Sequence, residues 1–444
     1  MTEHIVIVGA GFSGTLLAIN LMRFDGPRAT LVERSADRIA RGVAYSATEP
    51  AHLLNVRAAG MSAFPDDPGH FVRWLEARGA GEATAFVPRR LYGEYLGGAL
   101  DVVRCERLDL REGDVIDVGP AGVRLADGGA IAADRVVLAT GNLPPHTPPG
   151  LDPAALPGGR YVDDPWRARP ADGLGARDTV VLLGTGLTAI DVALQLDADG
   201  FRGGIVAMSR RGLRPRRHRD GAPPPAGETD LPGVPLSELV RQLRRRAETE
   251  GWRAAVDALR PVTQRLWAAS DGATRARFLR HLRPFWDVHR HRLAPAVADR
   301  IDAMIGEGRL RFTAGKVAGA SVEGEGVRMR WRPRHGDAVE ALCAARIVNC
   351  TGPQGDLTRT DDPLLRTLAA DGRIRPDALR LGIDVDAQSR VIAADGSADD
   401  RFCCIGPMTR GGLWEVVAVP DLRRQAWDLA RRLSHAQWVG GEGL

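Results

Sequence analysis

The chain has 444 residues, of which 44% are hydrophobic and 26% are charged, and its formal net charge is +4. This length exceeds one ordinary domain and the composition is that of a globular protein, so we expect two or three domains with cores of their own. Arginine supplies nearly all of the positive charge, since Lys316 is the only lysine. No basic block is interleaved with aromatic residues, and we therefore expect no nucleic-acid partner.

Cysteine usage and the first residues narrow the class of protein further. The five cysteines are Cys105, Cys343, Cys350, Cys403 and Cys404. None of them forms a C-x-x-C pair, which argues against a zinc site and against a dithiol redox centre, so we predict no metal. The chain enters an apolar strand at Ile5 without a basic segment or a long apolar run. We therefore expect a cytoplasmic protein with no secretory signal and no membrane association.

Residues 4–33 predict a strand, a glycine turn, a helix and a second strand. "IVIV" is followed by the loop Gly9-Ala10-Gly11-Phe12-Ser13-Gly14, a helix from Ser13 to Arg23 and the strand "RATLVE". In such a loop the first glycine permits the turn, Gly11 lets the backbone approach a pyrophosphate, and Gly14 lets the helix pack on the strand. The helix N-terminus offers free N–H groups to phosphates. Glu33, which ends the second strand, is placed to accept hydrogen bonds from ribose hydroxyls.

A second unit of the same kind follows further along the chain. Residues 114–127 predict a hairpin and residues 131–141 another strand, after which the proline-rich connector "NLPPHTPPG" leaves the first domain. The second unit runs from Thr179 to Ser209. Its loop is Gly184-Thr185-Gly186-Leu187-Thr188-Ala189, in which alanine at the last position is compatible with dinucleotide binding.

The two units differ in the charge that follows their second strand. Glu33 ends the first unit, whereas Ser209-Arg210-Arg211 end the second. A carboxylate suits a free ribose 2′-hydroxyl, while hydroxyl and guanidinium groups suit a 2′-phosphate. We therefore expect the second site to favour NADPH over NADH. The alternative is that the arginines are only the solvated end of a strand.

Helical patterning dominates residues 236–307, after the polar segment 214–230. This block contains the run Trp286-Asp287-Val288-His289-Arg290-His291-Arg292 and could cover the active site. The run either recognises an anion or forms a charged structural helix. Its two histidines would point apart on a helix, which argues against a metal site. His218, which precedes the block, is either near the nicotinamide or exposed, and we expect it to be exposed.

Strand patterns return after the helical block. They occupy residues 310–324, 326–334 and 345–352, and the chain then shows a strand, a glycine-rich turn and a helix with Pro420 in its first turn. Cys403 and Cys404 are expected on opposite faces of a buried strand, with Cys350 packed inside another. The predicted fold is α/β, with two Rossmann-like domains and an α-helical insertion. The predicted boundaries are 1–170 for the first part of the first domain, 171–312 for the second domain with its helical block, and 313–444 for the second part of the first domain.

Motifs spread over the whole chain carry a family resemblance. They are "GAGFSG", "GVAYSATEPAHLLNVRAAGMSAFPDDP" (42–68), "VPRRLYGEYL" (87–96), "LATGN" (138–142), "LLGTGLTAIDVALQL", "SRRGLRPRRH" (209–218), "FLRHLRPFWDVHRHRLAP" (278–295) and "IGPMTRGGLWEVVAVPDLRRQA" (405–426). Together they resemble the two-dinucleotide-domain flavoproteins, which include class B flavin monooxygenases and N-hydroxylases. They resemble more closely a bacterial family described as FAD/NAD(P)-binding proteins.

The resemblance implies FAD in the first unit and NADPH in the second. By it, "LATGN" and the similar "IVNCTG" (347–352) lie beside FAD, and a helix start after "CIGPMTRGG" points at the flavin ring. The residues expected to contact FAD are Gly9, Gly11, Phe12, Ser13, Gly14, Glu33, Arg34, Ala44, Tyr45, Asn55, Met61, Arg89, Val115, Thr140, Gly141, Gly352, Gly406, Pro407, Gly412, Leu413 and Trp414, with Gly42 and Tyr92 close by. Those expected to contact NADPH are Gly184, Thr185, Gly186, Leu187, Thr188, Ser209, Arg210 and Arg211. No side chain is assigned a catalytic role.

Departures from the family pattern restrict the chemistry. Baeyer–Villiger enzymes carry an F-x-G-x-x-x-H-x-x-x-W/F stretch, whereas residues 158–174 contain Trp166 but no histidine. The paired cysteines of disulfide reductases are also missing. Baeyer–Villiger oxygenation and disulfide reduction are therefore not expected.

The expected function is that of an FAD-dependent oxidoreductase reduced by NADPH. Hydride transfer to the flavin needs stacked geometry rather than a protein acid or base. The resemblance favours a class B-like monooxygenase that acts on a small nucleophilic substrate with molecular oxygen through a C4a-(hydro)peroxyflavin. The alternatives are an NADPH-dependent flavin reductase or dehydrogenase without oxygenation, and a non-catalytic flavin-binding protein.

Overall fold

The structure is a computed structural model that describes residues 3–47, 49–221 and 234–436. Residues 222–230 of the polar segment lie outside these ranges. The first elements are β1 (His4–Val8), α1 (Phe12–Arg23), β2 (Arg28–Glu33), α2 (His70–Glu76), α3 (Arg89–Val102), β3 (Leu108–Glu112), β4 (Val115–Gly119), β5 (Gly122–Leu125), β6 (Ala130–Ala132) and β7 (Arg135–Leu138).

The middle of the chain combines strands with a block of helices. Its elements are β8 (Tyr161–Val162), β9 (Thr179–Leu183), α4 (Leu187–Ala198), β10 (Gly204–Ser209), α5 (Leu236–Glu250), α6 (Trp252–Asp257), α7 (Thr263–Ala269), α8 (Gly272–His281), α9 (Arg283–Arg290) and α10 (Pro295–Gly306). The remaining elements are β11 (Leu310–Glu323), β12 (Gly326–Pro333), β13 (Glu340–Ala344), β14 (Arg346–Asn349), α11 (Pro363–Ala370), β15 (Arg390–Ile392), β16 (Ala398–Cys404) and α12 (Val419–Leu433).

The first glycine loop belongs to a six-stranded sheet with the order β15-β16-β7-β1-β2-β3. Its pairs are parallel except for β15 with β16. Ile5, Val6 and Ile7 of β1 are fully buried, as expected for a central parallel strand covered on both faces. One face packs on α1, α3 and α12, and the other packs on α11 and the small antiparallel sheet β4-β5-β6.

The second glycine loop belongs to a seven-stranded sheet with the order β13-β12-β11-β10-β9-β14-β8. β8, β14, β9, β10 and the first part of β11 are parallel, and β11 then continues into an antiparallel ladder with β12 and β13. α4 and α10 pack on one face of the parallel part. The predicted α/β fold with two Rossmann-like domains is therefore confirmed.

The sheets show where the chain passes between the two domains. β11 to β14 hydrogen bond into the second sheet as far as Asn349, and the chain rejoins the first sheet only at β15. Most of β11 lies after residue 313, where the sequence predicted the first domain to resume, but β11 pairs within the second sheet. We therefore propose that the second domain extends to the end of β14.

The helical block follows the prediction closely, with six α-helices between Leu236 and Gly306. Within the described ranges, no helix is long and apolar enough to cross a membrane.

Candidate functional site

The two glycine loops have the same construction. Gly9 and Gly184 have φ values of +102° and +128°, and a Cβ on either would lie 2.4 Å or 2.1 Å from the carbonyl oxygen of Ala139 or Cys350. Gly11 and Gly186 precede α1 and α4 with extended backbones. Each loop therefore lies where its central strand, β1 or β9, ends beside the neighbouring β7 or β14. Dinucleotides bind at such a place in open α/β sheets.

Polar groups that could hold FAD lie beside the first loop. The Glu33 carboxylate accepts a hydrogen bond of 2.8 Å from the Ala10 backbone N–H, which fixes it beside the loop. The Thr140 hydroxyl oxygen is buried, next to Gly9, and has no hydrogen-bond partner among the described residues. A Cβ on Gly406 would lie 2.9 Å from the Ser13 hydroxyl, so the C-terminal loop meets the start of α1. These groups fit a nucleotide held at this edge.

An aromatic cluster lies beside the first loop. The Phe12 ring is 6.0 Å from that of Tyr45 and 6.1 Å from that of Tyr92, and the two tyrosine rings are 4.7 Å apart. Burial raises the pKa of both phenols, so they stay protonated at neutral pH. Residues 41–45 pack on α3, because a Cβ on Gly93 would touch the Tyr45 carbonyl oxygen at 2.7 Å.

Several residues expected at FAD make other contacts. Arg34 pairs with Asp114 and Asp362 at 2.8 and 3.1 Å, next to Val115, which is buried in β4. Met61 is buried in the core, Ala44 is exposed, and the Asn55 carbonyl oxygen accepts a hydrogen bond from His218. None of these contacts tests the predicted contact with FAD, which stays a prediction.

The Arg89 side chain reaches the other domain. Its Nη2 lies 2.8 Å from Oδ2 of Asp191 on α4, and the two side chains are 17% and 9% exposed. His52 Nε2 donates to the Asp191 carbonyl oxygen at 2.9 Å. Sequence reasoning missed this link because Asp191 shows only the helical pattern of α4.

The loop after β16 reaches from the first glycine loop to the helical block. Gly406 N–H donates to Gln425 Oε1 at 2.8 Å, which orients Gly406 and Pro407 near α1. Gly412 is exposed, Leu413 packs against the first core, and the Trp414 side chain is 2% exposed against Trp267. α12 begins only at Val419, so six residues separate the helix start from Gly412.

A strongly basic cavity of about 400 Å³ lies just after β10, the strand that ends the second unit. It is lined by Arg210, Arg211, Arg280, Gly315, Lys316, Arg332, Pro333, Arg334, Gly336 and Asp337. Lys316 and Arg332 are directly opposed in the β11–β12 ladder, where two like charges repel unless an anion lies between them. The cavity thus fits the 2′-phosphate of NADPH. Sequence reasoning found only the first two arginines, because strand pairing and α8 bring the other cations there.

The remaining residues of the second loop support its shape. Thr185 and Ser209 hydroxyls lie 2.8 Å apart, and Ser209 Oγ also accepts from the Gly212 N–H. Leu187 and Thr188 form the first turn of α4. The Ser209 hydroxyl therefore fixes the turn that carries Arg210 and Arg211.

The structure places β14, the strand before Gly352, in the second sheet, and the Cys350 carbonyl group lies against Gly184 of the second loop. Gly352 follows that contact with φ +85°, just as Gly141 follows Ala139 with φ +71° in the first domain. The motif repeats because each domain uses it beside its own glycine loop. The resemblance places "IVNCTG" beside FAD, and the contact of Gly352 with FAD stays a prediction.

The structure corrects the expectation for His218. The imidazole is half-buried, its Nε2 donates to the Asn55 carbonyl oxygen at 3.0 Å, and its ring lies 4.9 Å from that of Phe86. Burial lowers the pKa of His218 to about 4, so it is neutral at physiological pH. Its backbone N–H also donates to the Leu293 carbonyl oxygen, which holds the backbone at His218 against the segment before α10.

Two histidines, one in α9 and one at its end, and the two adjacent cysteines of β16 make contacts within the protein. His289 Nδ1 donates to the Phe285 carbonyl oxygen, while burial lowers the pKa of His291 to about 3. No three potential metal-ligating side chains form a site in the parts of the chain that are described. Cys403 and Cys404 are buried on β16 and face different cores, as predicted.

The comparisons with known proteins agree with this geometry. A family model described as FAD-NAD(P)-binding matches residues 6–143, the segment with the first glycine loop, Glu33 and Thr140. No curated protein sequence matches the chain significantly.

Solved structures share the fold over nearly the whole chain. The FAD-bound cadaverine monooxygenase of desferrioxamine biosynthesis from Erwinia amylovora has a TM-score of 0.67 and 13% identity, and the match covers 98% of this chain and 95% of that one. L-lysine 6-monooxygenase from Pseudomonas syringae gives 0.65 and 17%, with 98% and 100% covered. Ornithine N-hydroxylase from Kutzneria sp. 744 gives 0.64 and 17%, with 98% and 99% covered. The expected relation to two-dinucleotide-domain flavoproteins is confirmed at the level of the fold.

Proposed function

We propose that the protein is an FAD-dependent oxidoreductase that is reduced by NADPH and then uses molecular oxygen to oxygenate a small nucleophilic substrate. The observation that carries the proposal is that the chain has two glycine loops of the same construction. The unit that contains the first loop ends at Glu33, and the unit that contains the second ends at the basic cavity. FAD in the first and NADPH in the second are the two parts of a hydride-transfer enzyme. An amine is the first substrate to test, because the enzymes of similar fold are named for ornithine, lysine and cadaverine.

The residues of this chain would bind and orient the two cofactors. When bound, FAD supplies a ring that accepts a hydride and, once reduced, reacts with oxygen. The N–H groups at the starts of α1 and α4 would face the two pyrophosphates, and Glu33 would hold the FAD ribose. The cations of the cavity would hold the NADPH 2′-phosphate.

The proposed function is tested by mixing the NADPH-reduced protein with oxygen in a stopped-flow spectrometer. We expect a transient near-ultraviolet absorption band before the oxidised flavin spectrum returns, with a lifetime that shortens when an accepted amine is added. Direct return to the oxidised spectrum with stoichiometric peroxide, with and without amines, would contradict oxygenation. Absence of any reduction by NADPH would contradict an enzymatic role.

Arg210 and Arg211 are expected to determine the preference for NADPH. Replacing either by alanine should raise the KM for NADPH about tenfold. A charge-assisted hydrogen bond to a phosphate contributes about 1.5–3 kcal/mol, and the loss is at the lower end because the other cations of the cavity still bind the phosphate. The KM for NADH should change less than twofold, since NADH has no 2′-phosphate. Steady-state reduction assays with both nucleotides measure this difference. Equal effects on the KM values for NADPH and NADH would show that these arginines do not bind the 2′-phosphate.

A further inference from the structure

A cluster of charged side chains lies where the helical block meets the loop after β16. The Trp267 indole N–H donates to the Gly411 carbonyl oxygen at 2.8 Å, and the Trp267 ring stacks on that of Trp414 at 4.6 Å. Phe278 of α8 lies edge-on to Trp414 at 5.3 Å. The loop therefore starts beside the first glycine loop at Gly406 and ends beneath the helices.

Most charges of this cluster are paired. The ion pairs are Arg283 with Asp287 at 3.3 Å, Arg290 with Glu415 at 3.3 Å, and Arg260 with Asp421 at 3.7 Å. Arg290 and Glu415 are 10% and 5% exposed, and their facing atoms lack the geometry of a hydrogen bond. The three acids are thus each matched by one arginine. His291, which lies near these arginines, is neutral at physiological pH because burial lowers its pKa to about 3.

Arg410 is the arginine of this cluster that forms no ion pair of its own among the described residues, although the Asp287 and Glu415 carboxylates lie near enough to raise its pKa. Its guanidinium lies 4.3 Å from the centre of the Trp414 ring, and no carboxylate of the described residues comes within 4.0 Å of it. Its Nε is buried and has no hydrogen-bond partner there either. Burial lowers the pKa of Arg410 to about 10, with the neighbouring Arg283 as a second cause, so the group remains charged. The Arg410 side chain is half-buried, and a charge in such a position without a close partner is costly, a cost that a bound anion would offset.

We propose that Arg410 binds an anionic group of the substrate, so that the protein acts on small molecules that carry a carboxylate or a similar monoanion. This proposal rests on the proposed function. One monoanion balances the single unpaired arginine, and a guanidinium stacked on an indole keeps its edge free for two parallel hydrogen bonds to a carboxylate. Arg410 lies between Pro407 and Gly412, the segment expected at the flavin ring, which brings the bound anion close to the reacting centre.

The proposal is tested by binding measurements that need no turnover. Hexanoate and benzoate are compared with hexanamide and benzamide, at constant ionic strength, by titrating the holoenzyme and following flavin absorption and tryptophan fluorescence. We expect at least one carboxylate to bind saturably and about tenfold or more tightly than its amide, because the amide lacks the charge. Arg410→Met should remove this preference, and Arg410→Lys should restore part of it. Arg366→Met, an exposed change on α11, is the matched control and should leave the preference unchanged.

Two results would overturn the proposal. The first is that no carboxylate is preferred over its amide by the unmodified protein. The second is that Arg410→Met keeps the preference, and a shift of the flavin midpoint potential in the same variant would show that Arg410 serves the cofactor instead. Failure of NADPH reduction or of the oxygen reaction would contradict the proposed function alone, since the tryptophan signal reports carboxylate binding without either.

Discussion

Replacing Gly186 by valine is expected to leave the protein folded with FAD bound and to slow its reduction by NADPH about a hundredfold. A Cβ on Gly186 would meet no heavy atom within 4 Å, and the backbone at φ −83° accepts any residue. The free space beside it is where the pyrophosphate of the second dinucleotide would lie. A side chain there displaces NADPH, and a misplacement of about 1 Å costs roughly a hundredfold in rate. Stopped-flow absorbance of the flavin after mixing with NADPH measures the effect.

Two further glycines provide the controls for this prediction. Gly11 occupies the equivalent position in the first loop, so Gly11→Val should lower the FAD content rather than the response to NADPH. Gly272→Ala, at the start of α8 with nothing within 4 Å, should change neither. Light-driven reduction of the Gly186→Val flavin should proceed normally. Reduction of this variant by NADPH at the unaltered rate would show that the second loop does not hold the nucleotide.

Both glycine loops were predictable because their signals are local. The strand, the turn and the helix follow each other within one short segment, and each glycine has a geometric reason that the structure reproduces at Gly9 and Gly184. Glu33 was predictable for the same reason, since the end of a strand next to the loop is fixed by the unit itself. The family resemblance added the identity of the cofactors, which spacing alone leaves open.

The remaining parts of the sites depend on pairing between distant segments. Lys316 and Arg332 line the basic cavity because β11 continues past the parallel sheet and the chain returns as β12. No local sequence pattern determines the register of that ladder. The strand of "IVNCTG" was expected in the first domain but pairs in the second sheet, since "IVNCTG" and "LATGN" are alike as segments. His218 appeared exposed because its partner Asn55 lies in the other domain.

Breaking the Arg89–Asp191 pair is expected to lower the free energy of unfolding by about 3 kcal/mol. Both side chains are mostly buried, and removing one partner of a buried ion pair leaves the other charge without compensation. Arg89→Ala and Asp191→Ala should therefore each destabilise the protein, and the double variant should lose much less than the sum of the two. Denaturant unfolding followed by tryptophan fluorescence measures all three. The neighbouring Arg90→Ala is the control, because the Arg90–Glu94 pair is exposed and should contribute about 0.5 kcal/mol or less.

The same variants decide between two roles for Arg89. The family resemblance places Arg89 near FAD, whereas the structure joins its guanidinium to α4 of the second domain. If the interdomain pair is its main role, Arg89→Ala and Asp191→Ala should both leave the FAD affinity nearly unchanged. Both should lower the stability by similar amounts. If Arg89 serves the flavin directly, Arg89→Ala alone should release FAD, while Asp191→Ala should retain it. Additive losses of stability together with selective loss of FAD from Arg89→Ala would contradict the interdomain role, because the two side chains would then act independently.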